Sequence, residues 1–494
     1  MASGAKRQCH VVVVGAGNAA LTAALAVREK GADVLVVEKA PFEERGGNSR
    51  FSGGLFRFAY EGLEELKPLL PSLPPEEWNR VEVGNYSAER YFEDIMRVTQ
   101  GRADPELART LTEESYPTIS WMTGLGIEWE WTSLWSVKLG GRRRFNPGSV
   151  LEVKNKGLGL MKYLFAACER TGIHLLYQAE MSGFLQDGVG VRGVRVKTAG
   201  GLMDIESGAV VLASGGFEAN AEMRARYLGP SWEKVKVRGT RHNTGETLRM
   251  ALDLGAKPAG DFHGSHATPV DANAPAVGEI RLTDKTNRLS YPYSIMVNAL
   301  GGRFVDEGED LGQYTYAKIG HAILAQPGAV AYQIFDKKTV HLVEARYSTG
   351  TPVVAETMEE LAQKLAIPPD LLRQTVEEFN AAAQPGEFNP AAKDSKSTRS
   401  LDPPKSNWAL PIDTPPYTAY PVTCGITFTY GGIAIDTKAR VLDMSDKPIP
   451  GLYATGEITG GFFYHNYPGG AGLMRGAVFG RLAGAHAATE AMSK

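Results

Sequence analysis

The apolar positions of the first forty residues fall into two short runs with a helical pattern between them. Residues 10–14 (HVVVV) are short and β-branched, as a buried parallel strand should be. Residues 19–30 are rich in strong helix formers, and Gly31 stands where a C-terminal cap belongs. Residues 33–37 form a second apolar run that ends at Glu38. The pattern predicts strand, glycine turn, helix, strand. Further along, residues 157–170 read as a helix leading to a strand at 173–178, and 189–197 as strands of a small accessory sheet. Residues 358–365 and 369–383 read as helices. Residues 385–404, rich in Pro, Lys and Ser, read as a surface connection. Near the end, HNYPGGAGLMRGAVFGRLAG places a tyrosine and a stiff glycine turn directly before another helix-like run.

Length and composition narrow the classes. The chain has 494 residues, enough for two domains or one domain with an insertion. It is 43% hydrophobic and 22% charged with a formal net charge of −3, which gives no reason to expect nucleic acid or an anionic membrane surface as partner. The three cysteines (Cys9, Cys168, Cys424) are scattered and odd in number, so a disulfide framework, a cysteine-held cluster and a haem attachment site are all disfavoured. A reducing cytoplasm fits best, with association to a membrane through a redox partner left open. No run reaches the roughly 18 apolar residues that a membrane span needs. His242, His263 and His266 lack the spacing and carboxylate partners of a metal set, so no metal is expected.

The first candidate chemistry lies in the first turn. Gly15-x-Gly17-x-x-Ala20 follows a strand, opens a helix, and has an acid, Glu38, about twenty residues on, which is the dinucleotide-binding context. Gly15 permits the tight turn, Gly17 lets backbone approach a pyrophosphate, and Ala20 keeps helix and strand close. Asn18 and Ala19 open the helix whose unpaired N–H groups favour phosphate. Glu38, with Lys39 beside it, can accept from ribose hydroxyls. The next segment, EKAPFEERGGNSRFSGG, supplies Arg45, Gly46, Gly47, Asn48, Ser49, Ser52, Gly53 and Gly54. A glycine-rich polar wrap of this kind suits a flavin, whose ribityl chain and ring extend beyond the pyrophosphate. FAD is therefore expected rather than NAD.

On these segments and three later ones, the chain resembles the fumarate reductase/succinate dehydrogenase flavoprotein family. GAVVLASGGFEAN (208–220, with Ser214 and Gly215) is similar to that family's strand and Gly-Gly turn. NTGETLRMALDLGA (243–256, with Thr244, Gly245 and Glu246) is similar to its Thr-Gly-Asp-Gly helix entry, with Glu246 in place of the acid and Thr247 of the last glycine. IPGLYATGEITGG (449–461) is similar to its C-terminal strand, where Gly456 and Glu457 would hold a ribityl or ribose hydroxyl. The resemblance implies an α/β fold: a discontinuous Rossmann-like FAD-binding domain (1–255 and 412–494, re-entered at about Tyr417) with an inserted α+β capping domain (256–411). It implies that Gly472 and Leu473 approach the flavin ring, where the following helix N-terminus offsets charge on reduction. Family members with covalent flavin use a histidine in the second glycine segment. Residues 44–54 hold none, so non-covalent FAD is expected.

The family's substrate positions are changed. No arginine lies between Phe304 and Gly320, and Leu311 stands near the proton-donor place. Thr427 and Phe428 occupy the histidine positions, and Tyr467 replaces a carboxylate-binding arginine. GGNS, HATPVD, FVDEGED with YTYAK, and VTCGITFTYGG resemble instead the tricarballylate dehydrogenase branch. Tyr-Pro-Gly is similar to the 3-ketosteroid and cyclic-ketone dehydrogenases. Both resemblances imply oxidation of a saturated Cα–Cβ bond beside a carboxylate or ketone, with hydride passing to FAD. The electrons would go on to an external acceptor, a partner protein, a quinone or oxygen. Tyr467 is expected to polarise the carbonyl, and Tyr314 or Tyr316 to take the α-proton, with Arg303 and Lys318 as supports; a phenol near pKa ~10 needs such help to act as a base. His266 matches a substrate-pocket histidine, and Arg142–Arg144 could clamp a carboxylate. The alternatives are an ene-reductase running the opposite way and a flavin electron-transfer subunit. The large cap argues against the latter.

Overall fold

The computed structural model describes residues 6–493. The predicted opening is present as strand Lys6–Val14, helix Asn18–Glu29 and strand Val34–Val37. Residues 11–14 pair in parallel with 209–212 on one side and with 34–37 on the other. Val11, Val12 and Val13 have no exposed surface, as a strand covered on both faces requires. The helix expected at 157–170 is Lys156–Arg170, and the strand that follows, His174–Leu176, extends the sheet beside Val34–Val37. The long strand Gly201–Leu212 carries an antiparallel flank made of Val191–Thr198 and Glu180–Gln186. Strand Pro448–Ala454 pairs in parallel with residues 210–212. The two ends of the chain thus share one sheet.

They also share one helix pair. The C-terminal helix Ala471–Met492 packs on Asn18–Glu29 through Gly476, Gly480 and Gly484, which lie at four-residue spacing on one face. A Cβ on Gly480 would stand 2.2 Å from Thr22 Oγ1, and one on Gly484 2.2 Å from the Ala23 carbonyl oxygen. Asn18 Nδ2 donates to the Leu473 carbonyl (2.9 Å). The N-termini of both helices consequently open side by side.

The second layer is a six-stranded sheet centred on Tyr417–Thr429. Ser265–Asp271, Val330–Phe335 and Val353–Ala355 pair with that strand antiparallel, Lys236–Val237 in parallel, and Ile295–Asn298 adds on beside Val330–Phe335. Helices Met358–Leu365 and Pro369–Ala382 cover it around a separate core that includes Ile295, Ile334, Leu361, Leu372 and Phe379. Two of these strands fall outside the insertion expected at 256–411. In particular, the chain does not re-enter the flavin half at about Tyr417. Residues 417–429 are the cap sheet's central strand, because their backbone pairs with 265–271 along one edge and with 330–335 along the other. Among the described residues, no helix is long and apolar enough to cross a membrane.

Replacing Gly484 with valine would drive side-chain carbons into the Ala23 carbonyl. The expected cost is about 1–3 kcal/mol of overpacking, read as a lower melting temperature of the purified protein and earlier flavin release on heating.

Candidate active site

An elongated cavity runs between the two sheets. One end is lined by Gly15, Gly17, Asn18, Ala19, Glu38 and Lys39. Along the middle lie Gly47, Asn48, Ser49, Ser52, Gly53, Ser214, Gly215, Thr244, Gly245, Glu246, Gly456, Glu457, Gly472 and Leu473. The far end is lined by Trp135, Arg238, His266, Tyr316, Arg346, Phe428 and Tyr467.

The first end is built for a phosphate group. Gly15 has φ +107°, and a Cβ there would meet the Ala213 carbonyl oxygen at 2.4 Å, so only glycine fits. The helix at Asn18 has as its N-cap Gly17, which has no side chain to cap it, and has no acid in its first turn. Its partial positive charge therefore faces the cavity uncompensated. The Asn18 N–H donates to Ser49 Oγ (3.0 Å), which ties the second glycine segment to this turn. Glu38 is almost fully buried, and burial raises its pKa; its Oε1 accepts from the Ala40 N–H (2.7 Å). Lys39 pairs with Glu246 (3.1 Å). Burial works against ionised Glu246, but Thr244, the residue's own N–H and Lys39 outweigh it and hold the carboxyl low.

In the middle, a polar chain joins the flavin half to the cap sheet. Asn48 Nδ2 donates to the Thr427 carbonyl (2.6 Å) and to Glu218 Oε1 (2.5 Å), and its Oδ1 accepts from the Thr240 N–H (2.8 Å). The Thr429 N–H donates to Glu457 Oε1 (2.9 Å). Glu218 and Glu457 are neighbours. Burial raises both carboxyls, and the charge of Glu457 pushes Glu218 further up. Asn18 Oδ1, His266 Nδ1 and Arg475 Nε are buried in these walls with no protein partner among the described residues. Glycine cradles, an uncompensated helix terminus and unpartnered wall atoms along one elongated cavity fit FAD.

The far end is a box of aromatic rings around two phenols. The hydroxyls of Tyr316 and Tyr467 hydrogen-bond to each other. His266 stacks on Phe428 at 5.0 Å and meets the edges of Tyr316 (4.9 Å) and Tyr467 (5.0 Å). Trp135 closes the other side of Tyr316 at 5.2 Å. Burial pushes Tyr316 well above the usual phenol range, with Tyr467 adding to it. Burial also raises Tyr467, opposed by Tyr316, Arg238 and the Gly470 N–H. Burial and the Arg238 charge hold His266 well below its usual value, so it is neutral.

Several expected residues sit elsewhere. Tyr314 is corrected: its hydroxyl donates to Asp94 (2.7 Å) inside a buried cluster with Arg57 and Tyr86, away from the cavity. Arg303 is corrected as well: it forms a buried pair with Glu307 (2.5 Å) and donates to the Pro403 carbonyl, so it stabilises the cap core and reaches neither phenol. Lys318 pairs with Glu309 (2.6 Å). Arg45 does not line the cavity; its guanidinium stacks on Phe42 (3.4 Å) and Phe165 (4.4 Å). Gly46 and Gly54 shape the turn through φ of +107° and +67° rather than lining the wall, and Ala20 packs behind the first turn. Arg142–Arg144 lie on the small surface strand Arg142–Phe145, where Arg144 pairs with Glu82 (2.7 Å). Conversely, Arg238, Arg346 and Arg475 line the cavity without having been singled out. Arg238 comes there because Val237 pairs with Ile426, which sets it beside Thr427. No local motif marks that pairing.

The FAD binding domain family matches residues 10–473. The "Probable fumarate reductase Ifc3" of Shewanella frigidimarina is 31% identical over 501 residues, covering 100% of this chain and 77% of the relative. The "4-oxocyclohexanecarboxylate 2-dehydrogenase" of Sinomonas cyclohexanicum is 28% identical, covering 96% of this chain and 92% of the relative. Among solved structures, the open conformation of a flavocytochrome c3 fumarate reductase superposes with a TM-score of 0.72 at 29% identity, covering 98% of this chain and 79% of that one.

Gly15→Ala both strains a left-handed position and collides with Ala213. The variant is expected to purify without bound flavin, measured as visible flavin absorbance per mole of protein.

Proposed function

The chain belongs to the FAD binding domain family and is an FAD-dependent oxidoreductase acting on CH–CH groups; from that premise we propose that it runs as a dehydrogenase, desaturating the Cα–Cβ bond of a small molecule next to its ketone or carboxylate. The observation that carries this reading is the Tyr316–Tyr467 hydroxyl pair on the wall of an aromatic box. Gly15–Ala19, Glu38, Asn48, Ser49, Glu457 and Leu473 would hold FAD without a covalent bond. Bound FAD supplies a two-electron hydride acceptor.

The chain's own groups have two tasks. One is to polarise a carbonyl so that its α-carbon gives up a proton cheaply. Tyr467, whose phenol is itself acted on by the Gly470 N–H, suits this role. The other is to take the α-proton. Tyr316 lies one hydrogen bond away and has Arg238 nearby to offset a phenolate. Neutral His266 and the rings around it exclude water and orient both hydroxyls.

Against a fumarate-type substrate stands the absence of a guanidinium at 467 and of a histidine at 427 or 428. Supporting a ketone is the relative named as a dehydrogenase of an oxocyclohexanecarboxylate. The tricarballylate-like reading retains the carboxylate option. Reduction of an activated double bond is the second reading, favoured by phenols that stay protonated at neutral pH and can donate. The electron acceptor would be a partner protein, a quinone or oxygen.

Anaerobic mixing with 4-oxocyclohexanecarboxylate, tricarballylate and succinate, followed by flavin absorbance, tests the reading; failure of every saturated acid or ketone to bleach the flavin would overturn it. Tyr467→Phe should keep flavin but slow bleaching by roughly 10²-fold or more, the scale of a lost oxyanion donor.

The pH profile separates the directions. Tyr316 is raised above an ordinary phenol of about 10. A base must be deprotonated, so flavin reduction by substrate should climb with pH through neutrality and up to at least pH ~10. An enzyme using the same phenol as proton donor should instead hold its rate through neutrality and lose it only above that range.

A further inference from the structure

The cationic groups of the cavity are not equivalent. Arg346 is paired with Glu344 (2.7 Å) and reaches Asp284 (3.4 Å). Arg475 is flanked by Phe462 and Phe463, with the carboxyl of Glu457 acting on it. Arg238 has no carboxylate within 4.0 Å among the described residues; the charge of Asp284 reaches it from further off, but that carboxylate is already shared by Arg346 (3.4 Å) and Lys156 (3.7 Å). Its Nε donates to Thr427 Oγ1 (2.9 Å), and Nη1 makes a long contact with the Phe51 carbonyl (3.3 Å). Those two bonds fix the plane of the guanidinium. They leave most of its five N–H donors without a protein acceptor. Arg238 is surrounded by protein and lines the cavity, so its partial exposure is to that space.

A guanidinium taken out of bulk water without a counter-charge is unfavourable unless a ligand supplies one. The pyrophosphate of a dinucleotide is already served by the Gly15–Asn18 turn at the other end. Arg238 belongs to the substrate end: it hydrogen-bonds the residue before Phe428, and its charge acts on Tyr316, Tyr467 and His266.

We propose that Arg238 is the anion anchor of the substrate site: it binds a carboxylate carried by the substrate at a distance from the carbonyl that Tyr467 meets. The substrate is then an oxo acid held at two points, the carbonyl by the phenol pair and the carboxylate by the guanidinium fork. The carbonyl half rests on the reading above, whereas the anchor does not require turnover. A remote carboxylate would fix the ring or chain so that one Cα–H points at Tyr316, and it would exclude neutral ketones by leaving Arg238 buried and unpaired. Thr427 is a positioning residue here, since it orients the fork without reaching the ligand.

The test is calorimetric titration of the flavin-loaded enzyme with cyclohexanecarboxylate and with its neutral amide, cyclohexanecarboxamide, neither of which carries the carbonyl to be desaturated. The acid should bind at least about 30-fold more tightly than the amide, the scale of a desolvated charge pair. Arg238→Met should keep its flavin, lose that 30-fold for the acid and leave the amide unchanged. Arg238→Lys keeps the charge but not the fork; it should retain flavin and fall between the two, which guards against a methionine variant that fails to fold. Equal affinity for acid and amide, no measurable binding of the acid, or undiminished acid binding in both variants would overturn the anchor. So would a folded Arg238→Met that purifies without flavin, because the guanidinium would then serve the cofactor. An enzyme that binds the acid through Arg238 yet is bleached by no ketone keeps the anchor and loses the dehydrogenase reading.

Discussion

The site depends on the contact between the first helix and the last. Gly476, Gly480 and Gly484 remove the side chains that would hold Ala471–Met492 away from Asn18–Glu29. With those side chains gone, the two backbones close together and Asn18 can reach the Leu473 carbonyl. Two helix N-termini then open onto one cavity, each without an acid in its first turn. Each terminus carries about half a positive charge. One faces the place for a pyrophosphate and the other the place for a flavin ring that gains negative charge on reduction. Neither helix alone makes the site, and the sheet that supports them is completed only when Pro448–Ala454 joins Gly201–Leu212. A chain that visits the cap between these elements must therefore bring its ends back to within hydrogen-bonding distance of each other.

Its route back is through the strand Tyr417–Thr429. This strand is shared property: its length pairs with cap strands, while its end at Thr427 and Thr429 is held by Asn48 and Glu457 of the flavin half. The same few residues therefore set the position of Phe428, which stacks on His266 and meets the edge of Tyr467. Cofactor-side and substrate-side groups are linked by short polar bonds in a buried setting, where an unmade bond is costly. That linkage makes the separation between the flavin place and the phenol pair a property of the fold rather than of a mobile loop.

What could be read from the sequence follows from how local each feature is. The Gly15–Glu38 unit was legible because its strand, turn, helix and acid are contiguous and each has a conformational requirement, such as φ > 0 at Gly15. Tyr467 was legible because it precedes a glycine turn at a marked place. Tyr316 was not separable from Tyr314, since the two are neighbours but one residue turns toward the cavity and the other toward Asp94. Arg303 looked suitable because it is a cation in the right segment; a glutamate four residues on, Glu307, is what claims it. The start of the returning flavin half was misplaced because a long alternating strand carries no mark of which sheet it will join. Arg238 was invisible for the same reason: its place is set by pairing between residues nearly two hundred apart.

Charge gives a physical reason for a phenol at 467. Arg238 already places an unpaired guanidinium at this end of the cavity. A second one at 467, in the same box of rings, would add like-charge repulsion to the desolvation of two cations. A tyrosine avoids that, keeps one hydrogen-bond donor at the site, and gains a neighbour, Tyr316, with which to share its proton. The cation is moved rather than lost, from the position that meets the reacting group to one that meets a more distant part of the ligand. The two positions then act on different parts of the substrate. A guanidinium at 467 would hold a carboxylate at the reacting carbon as an anion, and an anion resists further loss of an α-proton. A neutral donor there can instead stabilise the negative charge that develops on a carbonyl oxygen only as the proton leaves, and stabilisation that appears only in the transition state is the kind that accelerates a reaction.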